Sequence, residues 1–439
     1  MKNNLSLLVA ILLVFTSIIT FSSCDKNETA TCASCGAENS VDVKFCSNCG
    51  NAFDSVENNE STNGDNNKND NMPTESHTTA EGLVLLPQDN GYYVANYVGR
   101  NRDIIIPEKV NGYVVLGIGY SAFQGNTLVE SISLPNSIVF IDDYAFSGCT
   151  NLKNINIPNS VTKWGTNIIS NNDTLNCTIK DNIKYLGNNE NPYLVCVGGI
   201  GKEFTEISLA DSTKYISQHA FAWNSYLKNV KMPNTVEYID NNAFYDCSRL
   251  ENISLSNNIV TIGKSCFAGC SALKEIDIPD SVVSMGDNTF HLCRNLSKIK
   301  LGASFKNLGK ESFMWCDSLS TIEVNNSNIY FSVYDEVLYS KDKTTLYLYP
   351  RQKTDLSFVV PETVIHIDDG AFYDNKYLES VTLSTSIKSI GGAALRYCRN
   401  LSTIKFNGTV VQWANISKGD YWKLDTKVTQ VQCSDGVAQ

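Results

Sequence analysis

The chain has 439 residues, of which 42% are hydrophobic and only 18% are charged. The hydrophobic fraction is enough for an extensive core, and the low charged fraction implies a surface rich in Asn, Ser, Thr and Tyr. The formal net charge of −11 argues against nucleic acids and anionic membrane surfaces as partners.

The N-terminus predicts export. Lys2 gives a short basic start, and Leu5 to Phe21 is an unbroken run of apolar and hydroxyl residues. The next residues, FSSC ending at Cys24, resemble a bacterial lipobox, in which the cysteine is acylated and becomes the mature N-terminus. We therefore expect residues 1–23 to be a lipoprotein signal peptide and Cys24 to anchor a surface-exposed protein to the bacterial cell membrane. A plain cleaved signal and a retained anchor are the alternatives, because the run is at the lower length limit for spanning a bilayer.

Four cysteines follow in two pairs. Cys32, Cys35, Cys46 and Cys49 have the spacing C-x2-C-x10-C-x2-C, and a glycine follows each pair. Zinc prefers four soft ligands at tetrahedral corners, and each C-x-x-C turn supplies two thiolates. Residues 24–53 therefore resemble a small zinc ribbon that holds one structural zinc ion. Two disulfides are the alternative, since export favours oxidation.

Residues 54–81 contain almost no apolar side chains and are rich in Asn, Asp, Glu, Ser and Thr. Such a composition cannot bury enough surface to offset the entropy lost on ordering. We expect this segment to be a disordered acidic tether.

A repeat of 23 residues occupies most of the remaining chain. Its clearest marker is a phenylalanine at every step of that length: Phe221, Phe244, Phe267, Phe290 and Phe313. Several coils also have a proline eleven residues before the marker, preceded by an L-x-x-I-x-I pattern such as Leu273, Ile276 and Ile278. A short strand that cannot cover its own apolar face predicts a solenoid, in which stacked coils bury continuous rows of Leu, Ile and Phe. We expect one parallel strand per coil, ended by the proline.

The pattern LxxIxIPxxVxxIgxxAFxxC resembles the BspA-like (Treponema-type) leucine-rich repeat of bacterial surface proteins. The segment FNGTVVQWANISKGDYWKLDTKVTQVQCSDG, which begins at Phe406, resembles the closing segment of that family. The resemblance implies a parallel-sheet solenoid over residues 82–406, a capping segment over residues 407–439, and a role at the cell surface or in adhesion. It implies no catalytic residues.

Two intervals are longer than the repeat, and each contains extra chain that predicts an inserted β-hairpin. The second, between Phe313 and Phe372, is rich in tyrosine. An exposed aromatic patch that contacts a partner could be formed by Tyr330, Tyr334, Tyr339, Tyr347 and Tyr349. The alternative is that these rings pack against the side of the solenoid.

Six cysteines occupy one fixed slot after the marker position: Cys149, Cys247, Cys270, Cys293, Cys316 and Cys398. Parallel coils aim equivalent side chains in the same direction, whereas a disulfide needs two Cβ atoms that converge. Asn375 occupies the same slot in another coil. We expect buried free thiols that serve packing.

No catalytic motif accompanies the repeat. Glu275 and Asp277 lie at outward strand positions, and Lys298 and Lys300 match them in the next coil, which predicts neighbouring opposite charges. We therefore expect a non-enzymatic surface protein that binds a protein or a glycan through its solenoid. A zinc-binding or zinc-responsive lipoprotein is one alternative, and a secreted hydrolase, for which no motif is present, is another.

Metal analysis tests the ribbon. Purified under reducing conditions, the protein should contain about one zinc ion per chain, because four thiolates complete a tetrahedral site. Cys32→Ser or Cys49→Ser should abolish this zinc, whereas Cys433→Ser, outside the motif, should retain it. Two disulfides detected by mass spectrometry in a metal-free protein would support the alternative.

Overall fold

The structure is a computed structural model that describes residues 29–31, 38–40, 72–201 and 203–439. It divides into two units, residues 1–68 and residues 69–439.

In the first unit, β1 (Thr29–Thr31) and β2 (Glu38–Ser40) form an antiparallel pair. The proposed lipidation site and zinc ligands lie outside the described residues and stay predictions: Cys24, Cys32, Cys35, Cys46 and Cys49.

The regular secondary structure of the second unit is almost entirely short strands joined by turns. The opening segment contains β3 (His77–Thr78), β4 (Leu83–Gln88), β5 (Gly91–Tyr97), β6 (Asp103–Ile105), β7 (Lys109–Val110) and β8 (Tyr113–Ile118). The first regular coils contain β9 (Ser131–Ser133), β10 (Phe140–Ile141), β11 (Asn154–Asn156) and β12 (Lys163–Trp164). The first insertion contains β13 (Thr178–Lys180), β14 (Ile183–Leu186) and β15 (Val195–Gly199).

The remaining elements follow the same order along the chain. The central coils contain β16 (Glu206–Ser208), β17 (Tyr215–Ile216), β18 (Asn229–Lys231), β19 (Tyr238–Ile239), β20 (Asn252–Ser254), β21 (Thr261–Ile262), β22 (Glu275–Asp277), β23 (Ser284–Met285), β24 (Lys298–Leu301) and β25 (Thr321–Val324). The second insertion contains β26 (Phe331–Tyr334), β27 (Val337–Ser340) and β28 (Thr345–Leu348). The last coils contain β29 (Ser357–Val359), β30 (His366–Ile367), β31 (Ser380–Leu383), β32 (Ser389–Ile390) and β33 (Thr403–Phe406). The closing segment contains α1 (Val410–Ala414), β34 (Ser417–Lys418), β35 (Val431–Cys433) and β36 (Gly436–Ala438).

The predicted solenoid is confirmed, but a typical coil contributes two strands instead of one. The L-x-x-I-x-I pattern forms the first strand row, in which equivalent residues of successive coils are parallel neighbours, as Ile276 is to Ile299. A second strand row forms between the proline and the phenylalanine, where Ile262 pairs with Met285. These two-residue strands are too short to show a period of two, so alternation of side chains could not reveal them.

Stacked side chains of equivalent residues form the core. The rings of Phe244, Phe267, Phe290 and Phe313 lie parallel in one row, with centroid separations of 5.5, 5.6 and 6.0 Å. All four residues are buried. Because one coil cannot enclose its own ring, burial of each Phe depends on the coils on both sides.

The cysteine slot holds buried free thiols, as predicted. The slot requires more than a small apolar side chain, because each thiol donates a hydrogen bond to the backbone carbonyl of the marker Phe in the preceding coil. Cys270 Sγ lies 3.2 Å from the Phe244 carbonyl oxygen, and Asn172, in the same slot, places Nδ2 2.8 Å from the Phe146 carbonyl oxygen. Burial raises the pKa of the Cys270 thiol, which keeps its proton available for donation.

Both insertions contain the predicted hairpin, and a third strand joins each hairpin to the stack. The middle strand β14 pairs antiparallel with both β13 and β15, and β15 then pairs in parallel with β17. In the same way β26, β27 and β28 form a meander, and β28 pairs in parallel with β30. Each insertion therefore continues the second strand row.

The predicted tether is wrong at its C-terminal end. His77 and Thr78 form β3, which pairs with β4. This pairing uses backbone hydrogen bonds and does not require apolar side chains, so composition could not reveal it. Residues 54–71 of the tether lie outside the described residues. Within the described ranges, no helix has the length and hydropathy of a membrane-spanning segment.

A buried carboxylate bridges the first insertion. In a regular coil the amide at this position donates to the next coil's backbone, as Tyr144 N does to the Thr166 carbonyl oxygen at 2.9 Å. The equivalent amide of Asn167 instead donates to Asp240 Oδ2 at 2.7 Å, and the Tyr215 hydroxyl donates to the same oxygen at 2.6 Å. Burial raises the pKa of Asp240 to about 6.

This carboxylate should make stability depend on pH. The folded pKa lies above the ordinary value of 3.8, so the folded state binds the proton more tightly than the unfolded state. The contribution of Asp240 to the free energy of unfolding should therefore fall as the pH rises from about 4 to 6, by up to about 3 kcal/mol. The free energy of unfolding, measured with urea at several pH values in this range, should change less with pH for Asp240→Asn than for the wild type. Asp211→Asn, at an exposed carboxylate, should show the same pH dependence of the free energy of unfolding as the wild type. An unchanged pH dependence in Asp240→Asn would show that Asp240 is not its source.

The cysteine slot should tolerate a donor and reject an acceptor. Cys270→Asn supplies an N–H donor as Asn172 does and should lower the free energy of unfolding by about 1 kcal/mol or less. Cys270→Asp introduces a side chain of nearly the same shape as asparagine, but it buries a carboxyl group against a carbonyl oxygen and should lower the free energy of unfolding by several kcal/mol. Denaturant midpoints of the two variants compare these costs directly. Equal midpoints would show that volume alone defines the slot.

Candidate binding surface

The described part of the chain contains no group of three or more His, Cys, Asp and Glu residues placed to hold a metal ion. The candidate sites are exposed surfaces and grooves. The two surfaces singled out by the sequence are the tyrosine-rich insertion and the outward charges of the first strand row.

The tyrosines do not form one exposed patch, and this prediction is wrong for two of them. Tyr339 and Tyr349 are 0% and 1% exposed, because the insertion folds them into the core beside Phe372. Tyr347 is half-buried, with its ring 5.1 Å from that of Phe331. The packing alternative holds for these three rings.

Tyr330 and Tyr334 remain on the surface, at 37% and 57% exposure. Each carries a lysine ammonium over its ring, Lys306 at 5.6 Å from Tyr330 and Lys343 at 3.9 Å from Tyr334. The lysines cover part of the aromatic area, which reduces the surface that a partner could contact.

Ion pairs of a buried arginine hold this insertion against the coils. Arg351 is 4% exposed and forms ion pairs with Asp317, at 2.8 Å, and with Asp374. Its guanidinium also lies 5.6 Å from the ring centroid of Trp315. An arginine buried to this degree needs such partners, so the insertion is fixed at its base.

The first strand row presents mainly polar and charged side chains outward. The register makes Glu275 a neighbour of Lys298 and Asp277 a neighbour of Lys300, as predicted. The ion pair that Lys298 forms joins it to Glu323 of the following coil, with Nζ 2.8 Å from Oε1. This hydrogen bond raises the pKa of Lys298.

The first strand row is interrupted between β20 and β22, although no insertion separates these two coils. The strands β16, β18 and β20 form one sheet and β22, β24 and β25 form another. On one side of the interruption Ala272 N still donates to the Ser248 carbonyl oxygen, and on the other side β21 still pairs with β23. The opening is therefore local to the outward face.

A groove of about 580 Å³ lies at this opening. Ile253 and Leu255 form part of its lining and are only half-buried, whereas Ile276 in the next coil is 2% exposed. The groove combines this apolar floor with acidic, basic and amide groups: Glu251, Asn252, Asn257, Glu275, Asp277, Asp280, Lys298, Lys300 and Asn325.

Sequence reasoning identified the four charged residues of β22 and β24 but missed the rest of the groove. Glu251, Asn252 and Asn257 belong to a coil whose repeat pattern is regular. Nothing in that pattern marks the loss of strand pairing, because pairing depends on how neighbouring coils approach each other.

Solved structures of leucine-rich repeat proteins are similar to this chain at low identity. A leucine rich cell surface protein from Faecalibacterium prausnitzii A2-165 is 21% identical, covering 82% of this chain and 95% of that chain, with a TM-score of 0.41. A leucine-rich repeat protein from Bacteroides ovatus ATCC 8483 is 20% identical, covering 84% and 99%, with a TM-score of 0.33. The pneumococcal vaccine antigen PcpA is 17% identical, covering 82% and 88%, with a TM-score of 0.29.

Comparison with curated proteins finds no significant match. The family described as "BspA type Leucine rich repeat region (6 copies)" matches residues 117–190, 200–320 and 351–423, which is more than half of the chain. These ranges include the Phe rows, the cysteine slot and both strand rows. The chain belongs to the BspA-type leucine-rich repeat family.

Proposed function

We propose that this chain is a non-enzymatic cell-surface binding protein, and that the groove between β20 and β22 binds an extended, basic segment of a partner protein. The observation that carries the proposal is the interruption of the first strand row at two regular coils. It leaves Ile253 and Leu255 half-exposed beneath a rim of carboxylates.

The groove has the parts that an extended peptide requires. Its floor offers apolar contact through the half-buried Ile253 and Leu255. The strands β20 and β22 face each other without pairing, so main-chain groups of a bound segment can hydrogen-bond at the opening. Asn252 and Asn325 add donors and acceptors at the rim.

Charge favours a basic segment. Four carboxylates line the groove, from Glu251, Glu275, Asp277 and Asp280, against two lysines. One of these lysines, Lys298, is already paired with Glu323. Together with the net charge of −11, this arrangement favours association with positively charged partners, more strongly at low salt.

Tyr330 and Tyr334 form a second candidate contact on the insertion. Their exposed rings could add contact area to a protein partner or stack on a glycan. Their lysine cover makes them the weaker candidate.

The N-terminal sequence supports display at the cell surface. In this proposal Cys24 carries a lipid, the ribbon formed by Cys32, Cys35, Cys46 and Cys49 holds one structural zinc ion, and the following polar segment separates the solenoid from the membrane. The family to which the chain belongs is consistent with this placement.

A peptide-display selection followed by affinity measurement tests the groove. Selected segments should be rich in Lys or Arg, and the double variant Glu275→Ala/Asp277→Ala should bind them about tenfold more weakly, because two rim carboxylates are lost. The double variant Asp211→Ala/Glu362→Ala makes the same change of net charge away from the groove and should bind as the wild type does.

Two results would contradict the assignment. Loss of binding in Tyr330→Ala/Tyr334→Ala, with no effect of the groove variant, would place the contact on the insertion. Selection of no peptide, together with retention on immobilised cell-wall or host glycans, would make the partner a glycan.

A further inference from the structure

A second, smaller pocket of about 230 Å³ lies at the first insertion, away from the groove. One wall is the turn that contains Ile169, Asn172 and Asp173. The opposite wall is the turn from Ser217 to His219, with Asp240 and Val197 between them.

The pocket exists because the repeat is interrupted at this point. In the preceding coil, Gly148 N donates to the Ser170 carbonyl oxygen at 2.8 Å, which is the regular contact between neighbouring turns. After Asn172 the chain enters the insertion, and the next regular turn begins near Ser217. That turn hydrogen-bonds onward, with Phe221 N donating to the Ala243 carbonyl oxygen at 2.8 Å. The two turns therefore face each other across a space that a regular coil would fill.

Three polar residues of the lining are deeply buried: Asn172 is 7% exposed, Ser217 5% and Asp240 1%. Two of them have an oxygen without a hydrogen-bond partner among the described residues, Asn172 Oδ1 and Ser217 Oγ. Buried polar atoms are nearly always paired, so these two oxygens are available to hydrogen-bond a ligand with hydroxyl groups.

The rim adds amide, carboxylate and aromatic groups. Asn171, Asp173 and His219 are exposed, and Gln218 lies half-buried beside them. The imidazole of His219 stacks on the indole of Trp223, with centroids 5.1 Å apart and ring planes at 27°. The flat face of the His219 ring thus lies next to amide and carboxylate groups that can hydrogen-bond a ligand.

The charge and the volume of the pocket disfavour anionic ligands, long ligands and metal ions. The lining contains two carboxylates and no Lys or Arg, which disfavours phosphates, sulfates and acidic sugars. Its volume is below the roughly 300–1,000 Å³ of pockets for drug-sized ligands, so a single ring fits better than a chain. Asp240 is a poor metal ligand here, because its carboxylate already accepts hydrogen bonds from Asn167, Tyr215 and Asn241.

We propose that this pocket binds one neutral sugar residue, such as the terminal hexose of a glycan. The amide and hydroxyl groups of Asn171, Asn172, Ser217 and Gln218 exchange hydrogen bonds with the sugar hydroxyls, each of which is both donor and acceptor. The Asp173 carboxylate at the rim accepts a hydrogen bond from another sugar hydroxyl. The apolar C–H face of the sugar lies against the His219 ring, which Trp223 supports from behind.

Saturation-transfer NMR with the full chain tests this site. The probes are glucose, galactose, mannose, fucose and N-acetylglucosamine, with N-acetylneuraminic acid and calcium chloride as competing classes. At least one neutral sugar should bind with a Kd on the order of 1 mM, as expected for a single ring with few contacts. His219→Asn and Asp173→Ala should each weaken its binding at least about tenfold.

The variants are chosen to preserve the fold. His219 has φ of 57°, a conformation that asparagine adopts readily, so His219→Asn removes the ring without backbone strain. Ser265, with φ of 50°, occupies the same slot two coils further along, and Ser265→Asn is the matched control that should bind sugar as the wild type does. Thermal unfolding of all variants verifies that the fold is intact.

Three results would overturn the inference: no neutral sugar binds, the acidic sugar or calcium binds in preference, or His219→Asn and Asp173→Ala leave sugar binding unchanged. The groove variant Glu275→Ala/Asp277→Ala should not alter sugar binding. Its behaviour separates failure of this pocket from failure of the peptide groove.

Discussion

The hydrogen bonds between the turns of neighbouring coils are the constraint on which the stack depends. Phe244 N donates to the Cys266 carbonyl oxygen and Phe267 N to the Thr289 carbonyl oxygen, both at 2.9 Å. This contact recurs from coil to coil in the regular series and holds equivalent residues in register. The stacked Phe rings and the cysteine slot follow from that register, because each needs its counterpart directly beside it.

The turns require an unusual backbone conformation at one position of each coil. The residue two before the marker Phe has positive φ, with values of 57° at Asn242, 50° at Ser265, 58° at Asn288 and 56° at Glu311. Asparagine tolerates this region better than most residues, which accounts for its frequency there. At Glu311 the flanking residues hold this conformation, since Lys310 and Ser312 accept backbone hydrogen bonds from the preceding coil.

Where the register is broken, the molecule acquires its concave sites. At the first insertion, Asp240 replaces a missing backbone acceptor, and the small polar pocket forms beside it. Between β20 and β22 the turns and the second strand row remain joined while the outward strands separate, and the larger groove forms. Regular coils present mainly small polar and charged side chains outward, which offers few residues of the kind that anchor a partner. Both proposed ligand sites are therefore departures from the repeat.

The sequence by itself determined the solenoid, its repeat length and the positions of both insertions, because the inward Leu, Ile and Phe residues recur at a fixed step. It also determined that Cys270 and its equivalents are buried free thiols. Only the tertiary structure decided that Tyr339 and Tyr349 are core residues, because alternation within a hairpin does not say which of its faces meets the stack. The same holds for the half-buried Ile253 and for the oxygens of Asn172 and Ser217 that have no hydrogen-bond partner among the described residues. A repeat pattern specifies which residues each coil contributes. The spacing between two coils depends on the packing of both, and the two proposed sites lie where this spacing departs from the regular one.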